Sequence, residues 1–160
     1  MGIQTFEMFH GAVLAKITRR SEAVVLRLIE TRPEEYWSVY TINDAVHLVV
    51  KYRTRPRPLK NGRLAWSFIF SSDELERIRV LSAEKEVSIA LVGGQQQIGA
   101  VMEIGLLTGQ ELMRMTDPLE DGLSITLRYE PGKQLRIFHK RRLAYKVPRN
   151  RMDTWNIPGS

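Results

Sequence analysis

The chain has 160 residues, 43% of them hydrophobic, and no cysteine. That length fits one ordinary domain with a real core. It argues against a wholly disordered chain, and the missing cysteine excludes disulfides, thiolate metal sites and a cysteine nucleophile. Twenty-four Lys and Arg against 18 Asp and Glu leave a net charge of +6, a balance common among nucleic-acid binders and reached by other proteins too.

Residues 4–18 read as a helix, because Phe6, Phe9, Val13 and Ile17 recur at spacings of three and four, with Leu14 widening the stripe. Residues 23–30 are apolar and β-branched enough for a strand. A turn at Pro33-Glu34-Glu35 leads to a second strand over 36–42, and Asn43-Asp44 marks a tight turn. Residues 46–53 form a third strand. Val46, Leu48, Val50 and Tyr52 share one face of it, and His47, Val49, Lys51 and Arg53 share the other. Arg55-Pro56-Arg57-Pro58 is excluded from a central strand, since proline lacks the ladder donor.

After the turn signal Asn61-Gly62, residues 64–70 predict a fourth strand with Leu64, Trp66, Phe68 and Phe70 on one face. Ser71 and Glu74 have capping-box spacing and open a helix that carries Leu75, Ile78 and Leu81 inward. The apolar run 87–92, ending in Gly93-Gly94, suggests a strand buried on both faces, and 98–104 another strand. Thr108 and Glu111 repeat the capping-box spacing ahead of a short helix through Met115. Strands over 123–129 and 135–139 flank Glu130-Pro131-Gly132-Lys133, where Pro then Gly suits a type II turn. A last strand covers 143–147, and 149–160 reads as extended, pinned by Trp155 and Ile157. The expected fold is a single α+β domain, 1–160, with a mixed, mainly antiparallel sheet and two or three helices. A core over 1–117 with an antiparallel extension over 118–160 is the other division.

The positive charge is concentrated. Residues 51–63 hold Lys51, Arg53, Arg55, Arg57, Lys60 and Arg63 with no acid, and residues 133–151 hold eight more: Lys133, Arg136, Lys140, Arg141, Arg142, Lys146, Arg149 and Arg151. The rest of the chain is net negative, whereas a merely solvated surface mixes signs. Lys51, Arg53, Arg55 and Arg57 alternate, so an extended backbone presents all four on one side, roughly 6.5–7 Å apart. Tyr52 and Trp66 lie near them as candidate stacking partners for bases. DNA or RNA is the expected partner, through Lys51–Arg63, Trp66, Lys140, Arg141 and Arg142. The alternatives are a solvated loop with aggregation-deterring edge charges, and a protein-interaction or assembly module, including a homo-oligomer.

From residue 4 to residue 92 the order of elements is helix, three or four antiparallel strands, helix, strand, and Lys51 ends the strand segment Val49-Val50-Lys51. This order resembles the common core of the restriction-endonuclease-like, PD-(D/E)xK, nucleases. There an acidic residue on the second core strand and an acidic-x-Lys on the third hold Mg²⁺, and the lysine helps orient the attacking water. Divalent metal serves phosphodiester cleavage by polarising the phosphoryl oxygen and activating water. The resemblance covers about half the chain and implies Glu30 and Asp44 as ligands of Mg²⁺ with Lys51 as the orienting cation. The sequence departs from the motif where Val49 occupies the acidic position.

His10, His47 and His139 are too scattered for a recognisable metal spacing. His47 shares a face with Lys51 as a general-base candidate, and His10 reads as a semi-buried structural histidine. Gly93-Gly94-Gln95-Gln96-Gln97 follows a strand but lacks the Lys-Ser/Thr of a phosphate-binding loop, and so reads as a turn. The first six residues have no basic segment followed by an apolar run, and Phe6 replaces the Ser or Thr of a myristoylation signal. No apolar stretch approaches the roughly 18–20 residues of a membrane span. A cytoplasmic protein with no membrane partner is expected.

Overall fold

The computed structural model describes residues 5–20, 22–95 and 103–159. Its elements in chain order are α1 (Thr5–Thr18), β1 (Leu26–Arg32), β2 (Trp37–Ile42), β3 (Val46–Arg53), β4 (Arg57–Pro58), β5 (Leu64–Phe70), α2 (Ser72–Glu84), β6 (Glu86–Gly93), β7 (Glu103–Thr108), α3 (Gly109–Met113), β8 (Leu123–Tyr129), β9 (Leu135–His139), β10 (Arg142–Val147) and α4 (Arg151–Thr154). The protein is a single α+β domain built on two five-stranded sheets, with strand orders β1-β2-β3-β6-β7 and β10-β9-β8-β5-β4. Among the described residues only β3 and β6 pair in parallel, and the other pairs are antiparallel.

The division into two sheets departs from the expected single sheet. It comes from the proline-rich segment after Arg53: β3 ends, the chain bends at Thr54, and Arg57–Pro58 joins the edge of the second sheet. Proline is tolerated there because an edge strand leaves one side of its backbone unpaired. The residues after Pro118 are built mainly of antiparallel strands. They supply β8, β9 and β10, and β8 pairs along the whole of β5.

The alternation read from the sequence builds the layers. Trp37, Val39 and Val49 of the first sheet meet Trp66, Phe68, Phe70, Ile125, Leu127 and Ile137 of the second in one core, with Leu75, Ile78 and Leu81 of α2 closing it. The opposite face of the first sheet, with Leu48 and Val50, is covered by Phe9, Val13 and Ile17 of α1 and by Met152 and Ile157. The central strands β3 and β6 are therefore buried on both faces. Both capping boxes form, Ser71 with Glu74 and Thr108 with Glu111.

Gly93 ends β6, a Cβ on it would overlap the Trp66 ring, and one on Gly94 would overlap the Phe9 ring. Gln96 and Gln97 lie outside the described residues, as does most of the strand expected over 98–104; β7 begins at Glu103. The tail expected to be extended forms the short α4, while Trp155 and Ile157 do pack against the core. Among the described residues no helix is long and apolar enough to cross a membrane.

Candidate nucleic-acid interface

The second sheet has one face in the core, and among the described residues no helix covers its other face. On β5 the even-numbered residues point inward, so Ala65, Ser67 and Ile69 point out, and Ile69 is 62% exposed. On β8 and β9 the same alternation turns Ser124, Thr126, Arg128, Arg136 and Phe138 outward, opposite to the buried Leu127 and Ile137.

Residues directly opposed on neighbouring strands share a face. The register therefore sets the charges in a row. Arg57 opposes Ala65, Ala65 opposes Arg128, Arg128 opposes Arg136, and Arg136 opposes Lys146. Four cations thus cross all five strands, over about 19 Å from edge to edge. The next row runs Ser67, Thr126, Phe138 and Leu143. Like charges set opposite one another are destabilising, and the described residues neutralise only part of the row. Glu130 lies 3.3 Å from Arg136 and also pairs Lys133. The Arg128 guanidinium lies over the Phe138 ring, 4.2 Å from its centroid, and its buried Nε has no hydrogen-bond partner among the described residues. A buried N–H left without an acceptor costs about 1–3 kcal/mol.

Beside this row lies a groove of about 530 Å³ lined by Ser124, Thr126, Arg128, Phe138, His139 and the hairpin cations, with Glu120 at its rim. The hairpin joining β9 to β10 turns on Lys140 and Arg141, with φ of 51° and 64°. Two consecutive positive φ values match the twist of a two-residue hairpin, and Asn-Gly is the pair that usually supplies them. The three-residue β2–β3 connection, 43–45, also carries two consecutive positive φ values, 53° at both Asn43 and Asp44. Long cationic side chains therefore occupy backbone positions that suit Gly or Asn. Lys140 is ion-paired to Glu120, which raises its pKa, while Arg141 is exposed.

The first basic segment is divided by the fold. Lys51 is buried, and its Nζ donates to Glu74 Oε2 at 2.5 Å and stands 5.0 Å from the Phe70 ring centroid. Burial pushes its pKa down against the opposing pull of Glu74. Arg53 lies half-buried over Tyr36, and Arg63 donates to the Lys60 carbonyl at 2.9 Å. The predicted four-cation alternation is thus corrected. Lys51 faces the core, the strand stops at Arg53, and Arg57 belongs to the other sheet, while Arg55, Arg57 and Lys60 are exposed. Trp66 is also corrected, because it is fully buried with Nε1 donating to the Gly94 carbonyl at 2.9 Å, and offers no face to a base. Arg142 is exposed but sits off the row, beside Arg114 and Tyr145.

Glu30, Asp44 and Lys51 are not brought together. The Glu30 carboxylate holds Arg77 at 2.8 Å and Arg32 at 3.0 Å; burial raises its pKa, and the two guanidiniums outweigh that and lower it. Asp44 occupies the β2–β3 hairpin tip near Lys85 and Arg27, at the far end of β3 from Lys51, about 20 Å along the strand. Among the described residues no three His, Asp or Glu side chains are grouped to hold a metal ion. His47 is buried in a hydrogen-bonded chain, with Thr41 Oγ1 3.1 Å from Nδ1 and Glu84 Oε2 3.1 Å from Nε2, which ties β2 and β3 to α2.

Arg128 and Phe138 were missed by the sequence reading. Their signal was present: Ser124, Thr126 and Arg128 alternate with Ile125 and Leu127, and Arg136 and Phe138 with Leu135 and Ile137. No family model matches the chain, and no curated protein or solved structure matches it.

Proposed function

We propose that the chain binds nucleic acid through the outer face of its second sheet. The observation that supports this reading is the register-aligned row of Arg57, Arg128, Arg136 and Lys146, with Arg141 at the hairpin beside it. A like-charge row carries an electrostatic cost in the free protein, and an anionic polymer relieves it by replacing condensed counterions. The row draws on both basic segments and on Arg128, so the partner is read from one sheet face rather than from one stretch of chain.

Fluorescence anisotropy with labelled oligonucleotides between 50 and 300 mM salt tests the reading. Four phosphate contacts give a slope of log affinity against log salt of about −3. The double variant Arg57→Glu/Lys146→Glu flattens the slope by at least about 1.4. Absence of salt-sensitive binding at low ionic strength overturns the proposal.

A protein-assembly role is the second reading, favoured by β1. This strand is an open sheet edge exposing Leu28 and Ile29, though the register shift between Leu28 and Glu30 and the charges of Arg27, Glu30 and Arg32 blunt it against pairing.

A further inference from the structure

We infer that the ligand of this face is single-stranded, with a base stacked at the Arg128–Phe138 pair; this rests on the nucleic-acid reading above. Phosphate attraction alone needs no aromatic ring. Yet Phe138 lies on the outer face in the row adjoining the cations, part-exposed and spanned by the Arg128 guanidinium. A phenyl ring and a guanidinium plane are the two surfaces on which unpaired bases stack.

The groove around them carries the polar groups that a base edge meets. Ser124 and Thr126 offer hydroxyls, and His139 a ring nitrogen donor or acceptor. In a duplex the bases are stacked on each other and their Watson–Crick edges are paired, so neither the ring nor these groups has a partner there. A single strand supplies both. Its phosphates lie along the cation row, whose length of about 19 Å suits the short end of single-strand site sizes, about four nucleotides.

The binding surface is thus a platform, with charge in one row and stacking in the next. The hairpin cations Lys140 and Arg141 bound it at the groove end. DNA and RNA share the chemistry of phosphate and base face, and the 2′-hydroxyl is the group that distinguishes them.

The test compares four labelled 12-mers at 100 mM salt: oligo(dT), oligo(U), an abasic deoxyribose-phosphate strand, and a 12-base-pair duplex. Oligo(dT) or oligo(U) should bind about tenfold more tightly than the abasic strand and the duplex. Phe138→Ala should remove about tenfold from the base-bearing strands while leaving the abasic strand unchanged. Phe138→Leu keeps apolar volume without a ring and should lose the same discrimination, which covers an unstable alanine variant. Equal affinity for the abasic strand, or duplex binding as tight as single-strand binding, overturns this inference and leaves the nucleic-acid reading standing. No binding to any of the four fails that reading itself.

Discussion

Replacing Arg141 with glycine should make the protein more stable and its ligand binding weaker. Arg141 sits at φ 64° in the second position of the β9–β10 turn, directly before Arg142, which pairs with His139. A side chain in the left-handed region costs roughly 1–2 kcal/mol through the contact of Cβ with the neighbouring carbonyl. Glycine removes that cost and loses about 0.5–1 kcal/mol through the greater freedom of the unfolded chain. The net gain is about 0.5–1 kcal/mol. With roughly 2.1 cal/mol/K of unfolding entropy per residue over 160 residues, the melting temperature rises about 2–3 °C. Binding moves the other way. One phosphate contact fewer lowers the salt slope by about 0.7 and the affinity about fivefold at 0.1 M salt. Arg141→Ala is the control, since it removes the charge but keeps a Cβ at positive φ; it should lose affinity without the gain in melting temperature. Calorimetry and anisotropy on the three proteins decide the matter. If the glycine variant melts no higher than the alanine one, the strain argument is wrong. If it binds like the parent, the hairpin is not part of the interface.

Three further outcomes follow from the interior. Lys51→Ala strands the buried Glu74 carboxylate and should cost about 3–5 kcal/mol in denaturant unfolding, whereas Lys51→Met combined with Glu74→Gln should recover most of it; equal losses would refute the pairing. Gly93→Ala drives a methyl group into the Trp66 ring between the sheets and should destabilise by about 1–3 kcal/mol, read as a shift in denaturation midpoint at constant slope. Burial holds His10, whose Nδ1 is 2.9 Å from Ser38 Oγ, at a pKa of about 4. The unfolded chain therefore binds the proton first as pH falls through 6.5. Stability should drop by about 3 kcal/mol between pH 6.5 and 4, and His10→Asn should flatten that part of the curve.

Much of the local structure was legible, because local signals were strong and agreed with one another. The alternation of Val46, Leu48 and Val50 gave β3 its bounds, and the two Ser/Thr-x-x-Glu boxes marked the starts of α2 and α3. What a sequence does not carry is which strands become neighbours. The alternation of Lys51 with Arg53 was read correctly as one face of a strand, but that face packs on the second sheet, so Lys51 became a buried partner of Glu74. Trp66 misled in the same way: an aromatic near basic residues reads as a stacking platform until its strand is known to turn that face into the core. β1 was displaced from 23–30 to Leu26–Arg32 because its charged, half-exposed residues carry little apolar pattern.

The proposed interface is a product of register rather than of any segment. Arg57, Arg128, Arg136 and Lys146 come from four strands, and a one-residue slip of β8 against β9 would send Arg128 and Arg136 to opposite faces. The inward residues prevent that slip. Leu127 opposes Ile137 on the core face, both fully buried, so the hydrophobic pairing that holds the sheet together also fixes the spacing of the cations. Stability and charge placement are therefore set by the same alternation on opposite faces of one sheet. An interface made this way is rigid, because moving any one cation along its strand means unpairing the core beneath it. Under the proposed reading, the ion pairs of Glu130 with Arg136 and of Glu120 with Lys140 are the contacts an incoming phosphate would displace, leaving the fold undisturbed.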